Sequence, residues 1–321
     1  MKKVLLAMLL IVCFTMSFAL VACDNGERLN IYVPDGAPAM AIANIIDSGK
    51  VANYKTDVIV TTGEDVVAKC ANGEADIAIV PTNAAVKICA TDNKYSLFTV
   101  NVWGLLYVIG WENITSLSQL NGKKVSSIGL ANTGEYLFKR LLDDADVSYD
   151  DNNGVQLDYV EEGSTAIGYL TENKCDFALV GEPLATTAIN NAKANGKTLY
   201  RVFDLQQLWQ EVTDNNEIGY PQASVIVKKT LLSQDGFAEA LYNMLSQNNA
   251  FLSQNVNRLN DILISAGSSL KAPFTAELIE RCNLRTVKAT EVKQDILSYL
   301  SQFNGPFAGM LKDELYYEFQ N

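Results

Sequence analysis

From residue 29 onward, short apolar runs alternate with stretches whose apolar side chains recur at helical spacing. That alternation constrains the chain more than any other feature. Residues 29–33, 58–60, 77–80, 125–128 and 177–180 read as strands. Residues 39–46, 64–71 and 136–142 read as helices, and another helix runs through Ile189. Strands separated by helices predict an α/β architecture with largely parallel sheets. Two apolar segments, 95–111 and 220–227, interrupt the pattern as extended chain. They are either strands crossing between two lobes or core strands of one larger sheet. After Lys229 helices dominate, with apolar stripes Phe237, Leu241, Met244, Leu245 and Ile296, Leu300, Phe303.

The chain also repeats itself weakly. Ala75-Asp76-Ile77-Ala78-Ile79-Val80-Pro81 matches Cys175-Asp176-Phe177-Ala178-Leu179-Val180-Gly181 at an offset of 100 residues. Residues 31–43 and 126–138 share a strand–turn–helix outline. Two similar α/β lobes are the expectation.

Composition removes several classes of function. The 321 residues carry 25 basic and 37 acidic side chains, for a net charge of −12, so the chain repels nucleic-acid phosphates. It has no histidine, which excludes Ser-His-Asp and Cys-His nucleophiles and His-ligated zinc. Neither Gly-x-Gly nor a phosphate-binding P-loop occurs. The acidic stretch 143–154 fails the register of a calcium loop, so no metal and no cofactor are expected.

At the N-terminus, Lys2 and Lys3 precede a run of uncharged, mostly apolar residues from Val4 to Ala22, a secretory pattern. It ends in Leu20-Val21-Ala22-Cys23, which resembles the bacterial lipobox, in which the cysteine is lipidated and the chain is cut just before it. An uncleaved membrane helix is the alternative, and both place the body outside the cytoplasmic membrane. Cys70, Cys89, Cys175 and Cys282 remain in the body, with no Cys-x-x-Cys spacing. Buried free thiols are the simpler reading, and any disulfide pairing stays open.

The segment Thr115-Ser116-Leu117-Ser118-Gln119-Leu120-Asn121-Gly122-Lys123-Lys124-Val125 resembles the S-x-x-D-L-K-G-K-K-V stretch that opens the second lobe of extracytoplasmic solute-binding proteins. The branch is that of nitrate, sulfonate, taurine and thiamine-precursor transporters. Ile128-Gly129-Leu130-Ala131-Asn132-Thr133-Gly134, Pro34-Asp35-Gly36-Ala37-Pro38-Ala39 and Ala75-Asp76-Ile77-Ala78 are similar to the branch's binding turns and strand. The resemblance implies a type II periplasmic-binding-protein fold, with two Rossmann-like α/β lobes joined by two crossing strands. C-terminal helices would pack on the first lobe. It implies a signal peptide at 1–22, a discontinuous lobe 1 at 23–107 and 225–321, and lobe 2 at 108–224. It further implies a membrane-anchored monomer that captures a small solute and delivers it to the permease and ATPase of an ABC importer.

Ligands of open α/β sheets bind at the carboxyl ends of strands, where helix N-termini offer free N–H groups. Four turns qualify: Asp35 with Ala37 and Pro38, Thr82-Asn83, Asn132-Thr133, and Gly181-Glu182-Pro183. Trp103 and Gln222, in the two interrupting segments, complete the candidate ligand-binding set, and Tyr107 and Trp209 are further aromatics able to stack on a ring. Thr82, Asn83 and Thr133 serve equally as helix caps. Asp35 and Glu182 facing a ligand would repel a simple anion, and no arginine falls in these turns. The expected solute is therefore amino-bearing, such as a heterocycle or an aminosulfonate. An enzyme using Asp35 or Glu182 as acid or base, and a transporter-independent sensor lipoprotein, are the alternatives.

Overall fold

The computed structural model describes residues 28–128, 133–149, 153–160, 162–213, 219–303, 305 and 307–319. The lipobox with Cys23, and Asn132 of the predicted site, lie outside the described residues. Twelve strands are described: β1 (Arg28–Pro34), β2 (Lys50–Val51), β3 (Tyr54–Thr61), β4 (Ile77–Pro81), β5 (Tyr95–Val102), β6 (Leu106–Gly110), β7 (Lys124–Ile128), β8 (Gln156–Val160), β9 (Phe177–Gly181), β10 (Tyr200–Asp204), β11 (Ala223–Lys228) and β12 (Leu284–Lys288). They form two sheets, ordered β12-β5-β11-β4-β1-β3-β2 and β10-β6-β9-β7-β8.

Three strands of each sheet are parallel, β4-β1-β3 in the first and β9-β7-β8 in the second. The strands next to those sets run antiparallel: β11 against β4 and β5, and β6 against β9 and β10. The reason is the path of the chain. It enters the second sheet from β5 through Trp103-Gly104-Leu105 and returns to the first sheet as β11. Each entry starts where the parallel strands finish, so β6 and β11 must run against them. The segment 95–111 is thus divided between the sheets. Gly104 sits at φ 88°, and a Cβ there would lie 2.7 Å from both Gln206 and Tyr220, so the first crossing requires glycine.

The weak repeat has a structural cause. Asp76 Oδ2 accepts the Asn30 backbone N–H at 2.8 Å, and Asp176 Oδ2 accepts that of Lys124 at 2.7 Å. Each aspartate also donates its own N–H back, to Asn30 and Lys124, at 2.9 Å. One motif therefore fixes the register of β4 on β1 and of β9 on β7.

Four elements depart from the sequence reading. The helix expected over 39–46 is two short pieces, Ala37–Met40 and Ala43–Ser48, separated at Ala41 and Ile42. The helical tract after Lys229 contains β12, whose LRTVK sequence carries too few apolar residues to stand out. Strands β8 and β10 are half-polar edge strands, which give little alternation to read.

The C-terminal segment touches both lobes. Helix Lys293–Leu300 leads through Phe303 to helix Phe307–Met310, which packs on helix Thr82–Asp92 of the first lobe, and Tyr316 bridges to Leu97 of β5. On the other side, Phe303 packs on Tyr136 with ring centroids 5.1 Å apart, and Gln302 accepts from Arg140 at 2.7 Å. Tyr299 stacks on Tyr220 and meets Trp209 edge-on. These contacts join side chains of both sheets into one core. Among the described residues, no helix is long and apolar enough to cross a membrane.

Candidate functional site

The candidate site is the junction where the parallel strands of the two sheets end. After β1 the chain turns at Asp35 and Gly36 into the short helix Ala37–Met40, with Pro38 in its first turn. Ala37 is buried. Asp35 does not present a free carboxylate. Its Oδ1 accepts from the Gly36 N–H at 2.8 Å and from the Ser268 hydroxyl at 2.5 Å. Its Oδ2 accepts from the N–H and hydroxyl of Ser269 at 2.9 and 3.0 Å. The residue ties the first turn to a loop 233 positions away.

After β4, helix Thr82–Asp92 begins at once. Thr82 is fully buried and does not cap the helix. Its hydroxyl lies 2.8 Å from that of Ser224 on β11, and its N–H donates to the Gln222 carbonyl at 3.0 Å. Asn83 Oδ1 accepts the Ala84 N–H at 2.8 Å. The structure thus brings Thr82, Asn83 and Gln222 together where the second crossing enters the first sheet.

In the second lobe, Ser116 and Gln119 form a capping box around the turn Leu117–Leu120, which delivers the chain into β7. This is the local structure of the segment that carries the family resemblance. Thr133 opens helix Thr133–Asp144. After β9, a cis bond joins Glu182 to Pro183 and helix Leu184–Ala194 follows. Glu182 is 3% exposed. It accepts from the Thr186 N–H at 3.0 Å and the Thr186 hydroxyl at 2.8 Å, and it pairs with Arg201. The Arg201 guanidinium lies 4.8 Å from the centroid of the Tyr107 ring.

Arg201 and the serine pair were not legible in the sequence. Arg201 stands on the unrecognised edge strand β10, and Ser268 and Ser269 lie in a loop with no local pattern. Together they remove the premise that two bare carboxylates face the solute.

The aromatics are built into the framework. Trp103 is 3% exposed, its indole N–H donates to the Arg285 carbonyl at 3.1 Å, and the Arg285 guanidinium covers its ring at 4.1 Å. Tyr107 donates to the Arg281 carbonyl at 3.0 Å, linking β6 to the segment that precedes β12. Burial, reinforced by Asp204 and Glu182, pushes its phenol well above the usual range. Trp209 is buried against Tyr220 and Tyr299.

Beneath the first crossing, Gln206 Oε1 accepts from the Leu106 N–H at 2.8 Å and the Tyr220 hydroxyl at 3.2 Å. Its Nε2 donates to Asp204 at 2.9 Å. Burial raises the Asp204 carboxyl, and the N–H groups of Gln207 and Gln206 only partly offset it.

No family model and no curated protein matches the chain. Solved structures do. An ABC-transporter protein from Parabacteroides distasonis is 20% identical with a TM-score of 0.75, over 92% of this chain and 100% of that one. The periplasmic aliphatic sulphonate-binding protein SsuA of Escherichia coli is 15% identical with a TM-score of 0.60, over 86% and 88% of the two chains. The periplasmic nitrate-binding protein NrtA of Synechocystis PCC 6803 is 14% identical with a TM-score of 0.60, over 87% and 81%. With two sheets joined by a double crossing to which the turns after β4 and β9 bond, the chain has the two-lobed α/β fold of ABC-transporter periplasmic binding proteins.

Proposed function

We propose that the chain captures a small organic solute between its lobes and passes it, chemically unchanged, to the permease of an ABC importer. Lobe 1 comprises 23–105 and 223–321 and lobe 2 comprises 106–222, bounds that differ by two residues from those the resemblance implies because β6 and β11 each belong whole to one sheet. Lipid on Cys23 holds the monomer at the outer face of the cell membrane. What supports this reading is that the turn after β4 bonds to the second crossing, Thr82 N–H to the Gln222 carbonyl at 3.0 Å, and the turn after β9 to the first, Glu182 N–H to the Leu105 carbonyl at 2.9 Å, within a fold shared along the full length of a transporter protein. The enzyme alternative loses its acid and base, because Asp35 is held by four hydrogen bonds and Glu182 by Arg201 and Thr186. The solute sits against Asp35, Ala37, Pro38, Thr82, Asn83 and Gln222 on one side, and Asn132, Thr133 and Glu182 on the other, beside Trp103.

Native mass spectrometry of the mature, unlipidated chain tests the reading. Freshly purified protein is expected to carry a small molecule that protein refolded from denaturant lacks. A bare chain in both preparations that also takes up no small molecule would sink it. Replacing Cys23 with serine in the full-length chain is expected to release the protein from the membrane fraction.

A further inference from the structure

The lobe junction contains several side-chain amides, and the structure ties most of them down. All the polar atoms of Gln206 are bonded, to Leu106, Tyr220 and Asp204. Asn283 donates to the Trp103 carbonyl. Gln222 differs. Its Oε1 is buried without a partner, and its amide makes no hydrogen bond among the described residues. A buried acceptor left unpaired is costly, so a protein holds one where something else completes it.

The backbone of Gln222 is fixed. Its N–H donates to the Val102 carbonyl at 2.9 Å, and its carbonyl accepts the Thr82 N–H at 3.0 Å. Ala223, next in the chain, pairs with both Pro81 and Val102. Tyr220 and Pro221, just before it, are buried. The amide is therefore carried on a rigid mount between the ends of β4 and β5, beside Thr82 and Asn83. Rigid placement of an unbonded polar group suits recognition, because little ordering remains to be done when the partner arrives.

We propose that Gln222 is the specificity-determining residue of the solute site, accepting a hydrogen bond at Oε1 and donating one at Nε2. The solute class that matches is one with a neutral amide-like edge, an N–H donor beside an acceptor, as in carboxamides and ureides. This rests on the solute-capture reading above and adds the chemistry that is selected. A solute without the donor leaves Oε1 unpaired, and discrimination by one uncharged hydrogen bond corresponds to about tenfold in affinity.

The test uses refolded protein and an equimolar mixture of small primary carboxamides, their methyl esters and the matching amidines, with native mass spectrometry as the readout. The wild type is expected to retain carboxamides about tenfold over esters, and Gln222→Leu to show no preference. Gln222→Glu keeps the length and the acceptor but loses the donor, and is expected to shift retention toward the amidines. Far-ultraviolet circular dichroism of the unliganded variants establishes that they fold. The proposal is overturned if esters are retained as well as carboxamides, or if the preference survives in a folded Gln222→Leu. It is also overturned if no probe is retained while fresh protein carries a molecule; that result leaves solute capture standing. Fresh protein that carries nothing, with no probe retained, removes both readings.

Discussion

The turns after β1 and β9 share a sequence device, an acidic residue followed closely by proline at the entry to a helix, yet they satisfy the acid in opposite ways. Asp35 is half-buried and is satisfied by hydroxyls and backbone N–H groups. Glu182 is buried and is satisfied by an arginine carried on a neighbouring strand. The first arrangement keeps a negative charge and spreads it over donors, whereas the second cancels it. A carboxylate near a binding turn therefore says little about the charge a solute meets until its own partners are known.

The largest effect is expected from the lobe 2 turn. Arg201→Met leaves Glu182 buried without its counter-charge, and should cost about 3–5 kcal/mol in urea unfolding. Adding Glu182→Gln to that variant should recover much of the loss, because the uncompensated charge is gone. If Arg201→Met costs under about 1 kcal/mol, the ion pair is not what holds this turn, and the contrast with Asp35 collapses.

Next comes Asp35→Ala, which frees the loop at Ser268 and Ser269 and should cost about 2 kcal/mol. Asp35→Asn should cost less, since one oxygen still accepts. A larger loss from Asp35→Ala than from Arg201→Met would reverse the ranking of the two turns.

A smaller effect, with a defined pH dependence, is expected at Asp204, close enough to Arg201 to feel its charge. Burial raises this carboxyl above its ordinary value of 3.8. A group that holds its proton more tightly when folded stabilises the fold below its unfolded pKa, and loses that contribution as pH rises through the folded value. Asp204→Asn keeps an acceptor for Gln206 and Gln207, so it should be as stable as the wild type or more so at pH 7. That advantage should shrink as the pH falls through the raised folded value and be gone once the pH is below 3.8. Thermal unfolding at a series of pH values decides it, and an advantage that grows on acidification would contradict the assignment.

The thiols should show the least. Cys70, Cys89, Cys175 and Cys282 are buried and unpaired as disulfides. Burial pushes Cys70 and Cys89 up to about 12. In the mature chain carrying Cys23→Ser, iodoacetamide at pH 8 should leave the native protein unmodified and add four groups after denaturation. Rapid labelling of Cys282, which feels the charge of Glu182, would mean that the junction opens readily.

Most of the fold was legible because its central strands are apolar and separated by amphipathic helices. The Asp76 and Asp176 repeat was legible because each copy places the same residue at the same point before a buried strand. What could not be read was long-range partnership. Nothing near Asp35 announces Ser268, and nothing near Glu182 announces Arg201 on a half-polar strand. Gln222 could be placed in a crossing segment, but only its surroundings show that its amide is unbonded. Strand direction also needed the whole path, since the reversal of β6 and β11 follows from where the chain enters each sheet.

The discontinuous strand order has a consequence for how the protein is made. The second sheet is drawn from one unbroken stretch, Leu106 to Asp204, so its strands can pair as soon as that stretch has been made. The first sheet needs β11 and β12, the latter ending at Lys288, and so cannot be completed until nearly the whole chain has emerged. During that interval β4 and β5 wait beside the vacant place of β11, exposing a hydrophobic edge, while the second sheet can already bury the face packed by Ala166, Leu170, Ala185 and Ala188. The sheet that begins first in the sequence is thus the later one to be completed.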